Sequence, residues 1–405
     1  MQRYSGPMID AVGCIRRFNA GRDPERLALK YAKMNASPFV FLRGTCHLFY
    51  QRAAGLELPA APAVWVCGDL HFENFGSYKG DNRLVYFDMN DFDEAALAPV
   101  TWELLRFLAS VLTGAAGLGL DGADAHSLCT SFLDAYAAAL ADGKARWVER
   151  ETAEGLVRDL LDSLRGRLRP AYLDTRTELR AGKRRLRTDG RKALPATDEQ
   201  REKVAAFMAA FADGQPDPKF YKVLDVARRV AGTGSLGVER YVVLVTGKGS
   251  PDGNYLIDIK GALPSCLAPH VKLAQPQWRN EADRVVAVQR RVQAVPNAFL
   301  QAVTIGNAAY VFRALQPSED RVALDRWDGK LRRAAGVMKA MGEAVAWGQL
   351  RSGGRQGSAI ADELIDFAGH GDWRGRLMEA ARDAAAQVHA DWREYVRAYG
   401  DGAFA

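Results

Sequence analysis

The sequence predicts an α+β protein, and three observations lead there. Apolar residues recur at helical spacing in both terminal regions. β-Branched runs cluster between 222 and 316. Helices and strands come in blocks instead of alternating as strand–helix–strand units. Residues 8–60 read as helical, since PERLALKYAKM and FLRGTCHLFYQRAAG carry apolar side chains three and four apart. Ala63–Cys67 and Arg83–Asp88 read as short strands flanking a polar loop, GDLHFENFG. From Thr101 to about Leu168 the pattern is helical and alanine-rich. Then VLDVARRV, RYVVLVTG, NYLIDIKG, QAVTIG and AAYVFRAL read as strands, interrupted by one helix, WRNEADRVVAVQRRVQAV. Helix returns from Trp327 to Arg397, and there is no internal repeat. The blocks divide the chain into 1–62, 63–221, 222–318 and 319–405: a helical extension, a helical region with polar loops, a β-rich region and a helical return.

A chain of 405 residues is long enough for a sizeable core, and 48% hydrophobic with 26% charged residues suits a globular protein. Five scattered cysteines without a CxxC pair argue against a disulfide framework or a structural zinc site, and suit a reducing cytosol. The N-terminus lacks the apolar core of a signal peptide. The longest apolar stretch, Phe107–Leu120, is too short and glycine-rich to span a bilayer. A cytoplasmic protein without membrane attachment is expected.

The net charge of +6 is local: Arg165–Lys192 holds eleven Lys/Arg against three acids, so the rest of the chain carries −2. Such a run can hold nucleic acid or an acidic substrate. Its single aromatic, Tyr172, offers little to stack bases on, so nucleic acid is disfavoured. The plainer reading is a solvated basic helix and a hairpin, RLRTDGRKAL, turning at Asp-Gly.

Asp69 and Asn74 lie five apart, and a second acidic cluster, Asp88-Met89-Asn90-Asp91-Phe92-Asp93-Glu94, follows within 14 to 20 residues. Phosphoryl transfer needs a carboxylate at the nucleophile and oxygen ligands from separate loops to hold Mg²⁺ on the phosphates. One such loop would more often cap a turn; two flanking a hairpin favour the metal. Downstream, GTGSLG (Gly232–Gly237) is followed by VERYVVLV, a strand instead of the helix a dinucleotide fold requires. Strand, glycine loop, strand is the phosphate-covering hairpin of kinases, with Gly232, Gly234, Ser235 and Gly237 placed to cradle phosphates. On the next strand the period of two puts Leu256, Asp258 and Lys260 on one face, with Lys260 set to reach the α/β-phosphates. A helix acid to orient that lysine has only weak candidates in Glu281, Asp283 and Gln289.

GDLHFEN followed by NDFDEA resembles the catalytic and metal loops of aminoglycoside-phosphotransferase-like kinases. More closely, SPFVFLRG, CGDLHFENFG, FDMNDFDEA, VAGTGSLG, IDIKGA and GEAVAWGQLRSG, in that order, resemble a bacterial family known as domain of unknown function 2252. The resemblance covers nearly the whole chain. It implies a protein-kinase-like two-lobed fold using ATP and Mg²⁺, and names no substrate. Carried over, Asp69 matches the catalytic aspartate, Asn74 and Asp91 the metal ligands and Lys260 the ATP-pairing lysine. Asp88 competes with Asp91 by its spacing from Asn74. His71, in the same loop, and Arg43 join Asp69 as catalytic candidates, with Arg43 and the 165–192 segment expected at the rim. Gln349 stands where relatives tend to carry histidine, which puts any role there in doubt. Because the glycine loop follows the catalytic loop by about 150 residues, the fold implied is circularly permuted, with 222–316 running through Arg313–Ser318 into helices that pack under the catalytic loop. The expected function is phosphotransfer to a small molecule or protein. A pseudokinase or AMP transferase, and a nucleic-acid-binding module through 165–192, are the alternatives.

Overall fold

The computed structural model describes residues 9–317 and 320–404. The helical start expected at Met8 and the connector's end at Ser318 lie outside them. Four short helices open the chain: α1 (Ala11–Asn19), α2 (Pro24–Met34), α3 (Pro38–Gly44) and α4 (Cys46–Ala53). Asp10, Asp23 and Ser37 cap the first three by accepting a backbone N–H three residues on. FLRGTCHLFYQRAAG breaks into two helices at Thr45, whose φ of −128° leaves the helical region.

β1 (Ala63–Val66) pairs antiparallel with β4 (Ala96–Pro99), and β2 (Phe75–Lys79) pairs with β3 (Val85–Met89). The two strands expected around the polar loop therefore enter different sheets, because β1 finds its partner beyond β3 whereas β3 pairs with β2, inside the stretch that separates them. α5 (Val100–Gly114) is buried nearly all round and forms the centre of the helical body. α6 (Gly122–Asp142), β5 (Val148–Glu149, added to β3), α7 (Gly155–Arg165) and α8 (Arg169–Asp174) follow.

In the basic segment, β6 (Thr177–Arg180) and β7 (Lys183–Leu186) form the hairpin. Its turn is Ala181-Gly182, at φ +48° and +73°, and not Asp189-Gly190 as expected. Asp-Gly instead leads into β8 (Ala193–Pro195), the edge of a six-stranded antiparallel sheet. α9 (Asp198–Asp213) precedes β9 (Val223–Arg229), β10 (Arg240–Val245), β11 (Tyr255–Gly261), α10 (Glu281–Val292), β12 (Gln301–Ile305) and β13 (Ala308–Ala314). The strand order is β12-β13-β11-β10-β9-β8. Val204 and Met208 of α9 pack on Val226, Tyr241, Val243, Ile257 and Ile259 of the sheet. The β-rich unit thus begins near residue 193, well before 222, because its outer face needs this helix as cover.

The opposite face is split by the strand period. Val242, Leu244 and Leu256 are apolar and covered by Leu173 and Leu186, whereas Arg240, Asp258 and Lys260 continue the same rows as charges. α11 (Leu331–Ser352), α12 (Ala361–Gly369) and α13 (Trp373–Gly400) complete the helical body, α11 on α6 and α13 on α5. Gly342 permits the first contact, since a Cβ there would stand 2.4 Å from the Phe132 carbonyl oxygen. All five cysteines are buried and free. No helix among the described residues is long and apolar enough to cross a membrane.

Candidate active site

The charged end of the sheet faces the loops after β1 and β3 across a cavity of about 520 Å³. The first loop is held from beneath. Gly68 has φ +85°, and a Cβ there would lie 1.9 Å from the Glu94 carbonyl oxygen, so glycine is required. Glu103 of α5 accepts from the Cys67 N–H at 2.6 Å, and Tyr50 donates to the Gly68 carbonyl at 2.5 Å. Glu103 is itself braced by Gln349 Nε2 at 3.1 Å, and Gln349 accepts from the Tyr136 hydroxyl at 2.6 Å. Gln349 is therefore a buried brace, outside the cavity lining.

Asp69 lines the cavity. Its Oδ1 accepts from Arg106 Nε at 3.0 Å and Nη2 at 2.7 Å. Arg106 is fully buried, lies over the Phe49 ring and also donates to the Leu42 carbonyl. Burial is the largest influence and opposes its charge, but Asp69, chief among the groups that work the other way, helps to raise its pKa on balance. Arg106 and Glu103 were not singled out in the sequence; their signal was two charges three apart in an otherwise apolar helix. Asn74 donates to the carbonyls of Asp69 and Asp91, each at 3.2 Å, and so staples the two loops together. The amide oxygen is left as its acceptor for a ligand.

Lys260 is buried on β11, with its Nζ paired to Asp93 and 3.8 Å from Asp91 Oδ1. Asp91 is half exposed at its carboxylate; burial works to raise its pKa, but Lys260 and then Arg313 hold it low. Asp93 is pushed the other way by burial and the neighbouring Asp91. The α10 acids go elsewhere, Glu281 to Arg284 and Asp283 to Arg279. Gln289 bonds Gln293. Asp88, the rival of Asp91, does not line the cavity. It faces Arg351 at 3.5 Å, and burial raises its pKa to about 6.

Above the loops, Asp258 is fully buried among Arg240 (2.6 and 2.8 Å), Arg229 (2.7 Å) and Arg313 (3.4 Å). Burial would raise its pKa, but Arg229 and Arg240 hold it well below the usual range. Burial, helped by Arg240, pushes Arg229 down to about 10. All three arginines line the cavity. With Lys260 they set four cations against Asp258, Asp91 and Asp93, which favours an anion between them.

The glycine loop closes over Asp69: a Cβ on Gly234 would stand 4.0 Å from Asp69 Oδ2 and 3.1 Å from the Arg43 carbonyl oxygen. Gly232 and Gly237 both have positive φ. From α2 and the turn before it, Arg22 (2.8 Å) and Lys30 (3.0 Å) donate to the Gly234 carbonyl, and Arg26 (2.9 Å) to that of Val238. A trans peptide then points the Ser235 N–H away from those cations. This clamp joins residues over 200 apart, beyond any local pattern.

Arg43 and His71 also line the cavity. Arg43 donates to Glu73 at 2.5 Å, and Glu73 accepts from Arg321 as well. His71 is buried at the edge of the Phe39 ring, and burial, then Arg43, drives its pKa well down. No residue of 165–192 lines the cavity; Arg167 meets its edge, through Asp320 at 2.6 and 2.7 Å. Within the segment, Arg184 binds Asp174 and Asp252, and Arg169 lies 3.6 Å over the Tyr255 ring.

Among the described residues no group of three or more His, Cys, Asp and Glu side chains is arranged to hold a metal ion alone. Mg²⁺ bound with nucleotide phosphates needs only one or two carboxylates. The half-exposed carboxylate of Asp91 beside the uncommitted oxygen of Asn74 fits that requirement.

A family model described as uncharacterized protein conserved in bacteria, domain of unknown function 2252, matches residues 22–398. No curated protein and no solved structure matches the chain.

Proposed function

The chain belongs to this uncharacterized bacterial family, and from the geometry of its cleft we propose that it is an ATP- and Mg²⁺-dependent phosphotransferase with a small-molecule or protein acceptor. One observation carries the reading: a single cavity joins the glycine loop to Asp69, Asn74 and Asp91, with Lys260 3.8 Å from Asp91, although the sequence separates these groups widely. Counting from β9, the glycine loop precedes the second strand, the lysine lies on the third and a helix follows, the order of a kinase nucleotide lobe. On this reading the fold is kinase-like, two-lobed and circularly permuted.

The roles follow from position. The glycine-loop amides and Arg229, Arg240 and Arg313 hold the phosphates. Asn74 and Asp91 would hold Mg²⁺, which would supply charge neutralisation for the phosphates. Asp69 uses Oδ2, the oxygen Arg106 leaves open, to orient the acceptor hydroxyl and take its proton. The acceptor oxygen bonds to the γ-phosphorus as the bond to the bridging oxygen breaks, and ADP leaves with that electron pair. Turnover of ATP to ADP with Mg²⁺, lost in Asp91→Ala, tests the reading.

One observation favours AMP transfer as the second reading. Lys260 is held by Asp91 and Asp93 instead of a helix acid, so the arginines, not a lysine–glutamate pair, set the phosphate position. Mass spectrometry of the product distinguishes added phosphate from added AMP.

A further inference from the structure

The loop from Asp69 to Asn74 parts the cavity into two sides. Asn74 reaches across to the Asp91 carbonyl, on the side of Lys260 and the sheet arginines. Glu73, one residue earlier, turns to another pair. Its Oε2 accepts from Arg43 Nη1 of α3 at 2.5 Å and from Arg321 Nη1, between β13 and α11, at 2.8 Å. Phe39 packs against this corner, with the Arg43 guanidinium 5.7 Å and the His71 ring 6.0 Å from its centroid. Glu73, Arg43, Arg321 and His71 all line the cavity, and the nucleotide with its metal leaves all four unused.

Two atoms of the corner point to a ligand. His71 is 7% exposed; its Nδ1 is sealed from solvent but its Nε2 is not, and Nε2 bonds nothing among the described residues. Arg43 has Nη1 on Glu73 and Nε sealed, which leaves Nη2 unsealed and unbonded in the same way. Polar groups left open on a nearly buried wall require a partner. The surrounding charges give its sign. Two guanidiniums, permanently charged, share one carboxylate oxygen. The neighbouring acids are already balanced, Asp320 by Arg167 through both oxygens and Asp69 by Arg106. Burial, then Arg43, drives the His71 pKa well down, so the ring adds no charge. The corner therefore holds a positive surplus, which an anion offsets and a further cation aggravates. Guanidinium forks match the oxygens of carboxylate and phosphate.

An acceptor whose hydroxyl meets Asp69, with phosphates and metal on the Asn74 side, has this corner for its remainder. Resting on the phosphotransferase reading, we propose that Arg43, Arg321 and His71 form the acceptor subsite. The acceptor is a hydroxylated small molecule bearing a carboxylate or phosphate, with its anion on the two arginines.

Ligand-observed NMR on the full chain without nucleotide tests this with glycerate, glycerol 3-phosphate, glycerol and 3-aminopropane-1,2-diol, which share one carbon skeleton and differ in charge. At least one anion should bind about ten-fold or more tightly than the neutral and cationic probes. Which anion binds better separates carboxylate from phosphate. Arg43→Gln, which removes the charge, should cut the preference at least about ten-fold; Arg43→Lys, which keeps it, should retain part. Melting curves establish folding, and Arg321→Gln takes the place of Arg43→Gln if that variant does not fold. No preference for an anion, or one that the folded glutamine variant keeps in full, overturns the proposal; the second result would put the anion on the sheet arginines instead. Because nucleotide is absent, these outcomes are independent of ATP turnover, whose failure would sink the phosphotransferase reading and leave the anion site as measured.

Discussion

Arg106 places two donors on one oxygen of Asp69, at 3.0 and 2.7 Å, and leaves the other oxygen on the side of the glycine loop. Asp69→Asn keeps an acceptor for Arg106 and loses the proton acceptor. Turnover should fall by roughly 10²- to 10⁴-fold with Mg·ATP affinity nearly unchanged. An equal loss of affinity in titration would make Asp69 a structural or metal residue.

Asp88 and Asp91 separate cleanly. Asp91→Ala should abolish Mg²⁺-dependent turnover in a folded protein, whereas Asp88→Asn should leave it intact. Asp88 also has a pH signature. Its folded pKa of about 6 exceeds its ordinary 3.8, so the folded state binds the extra proton and stability falls as pH rises from about 4 through 6. Asp88→Asn should remove a dependence on the order of 2–3 kcal/mol, read from denaturant midpoints at pH 4 and 7. Identical pH profiles for the two proteins would contradict the assignment.

What the sequence disclosed depended on range. The period of two along NYLIDIKG put Asp258 and Lys260 on one face, and they stand there, although Leu256 in the same row belongs to the apolar end. Spacing alone could not separate Asp88 from Asp91, because it does not say that a strand turns Asp88 toward Arg351. α9 escaped notice because AAFMAAFAD has weak contrast between its faces. The clamp of Arg22, Arg26 and Lys30 on the glycine loop is made wholly of tertiary contacts.

Asp258 is the only carboxylate shared by Arg229, Arg240 and Arg313 among the described residues. Asp258→Asn leaves buried cations uncompensated and should cost about 3–5 kcal/mol at pH 7. Because its folded pKa lies below the ordinary 3.8, its contribution is present above about pH 4 and lost as pH falls further. The deficit of the variant should therefore shrink on acidification. A deficit that stays constant from pH 7 to pH 3 would show that charge is not its cause.

Gly68→Ala forces a Cβ onto the Glu94 carbonyl in a left-handed backbone. The loop carrying Asp69 must shift, and a loss of at least about 3 kcal/mol in unfolding free energy is expected. A variant as stable and active as wild type would mean that the loop adopts another path.

The central claim is that the sheet arginines and the two carboxylate loops bind one nucleotide with its metal. Calorimetric titration of ATP into the protein, with and without Mg²⁺, tests it most directly, with Asp91→Ala alongside. The account predicts one site per chain, tightened by Mg²⁺ in wild type and indifferent to Mg²⁺ in Asp91→Ala. No binding by wild type, or the same Mg²⁺ dependence in both proteins, would contradict it.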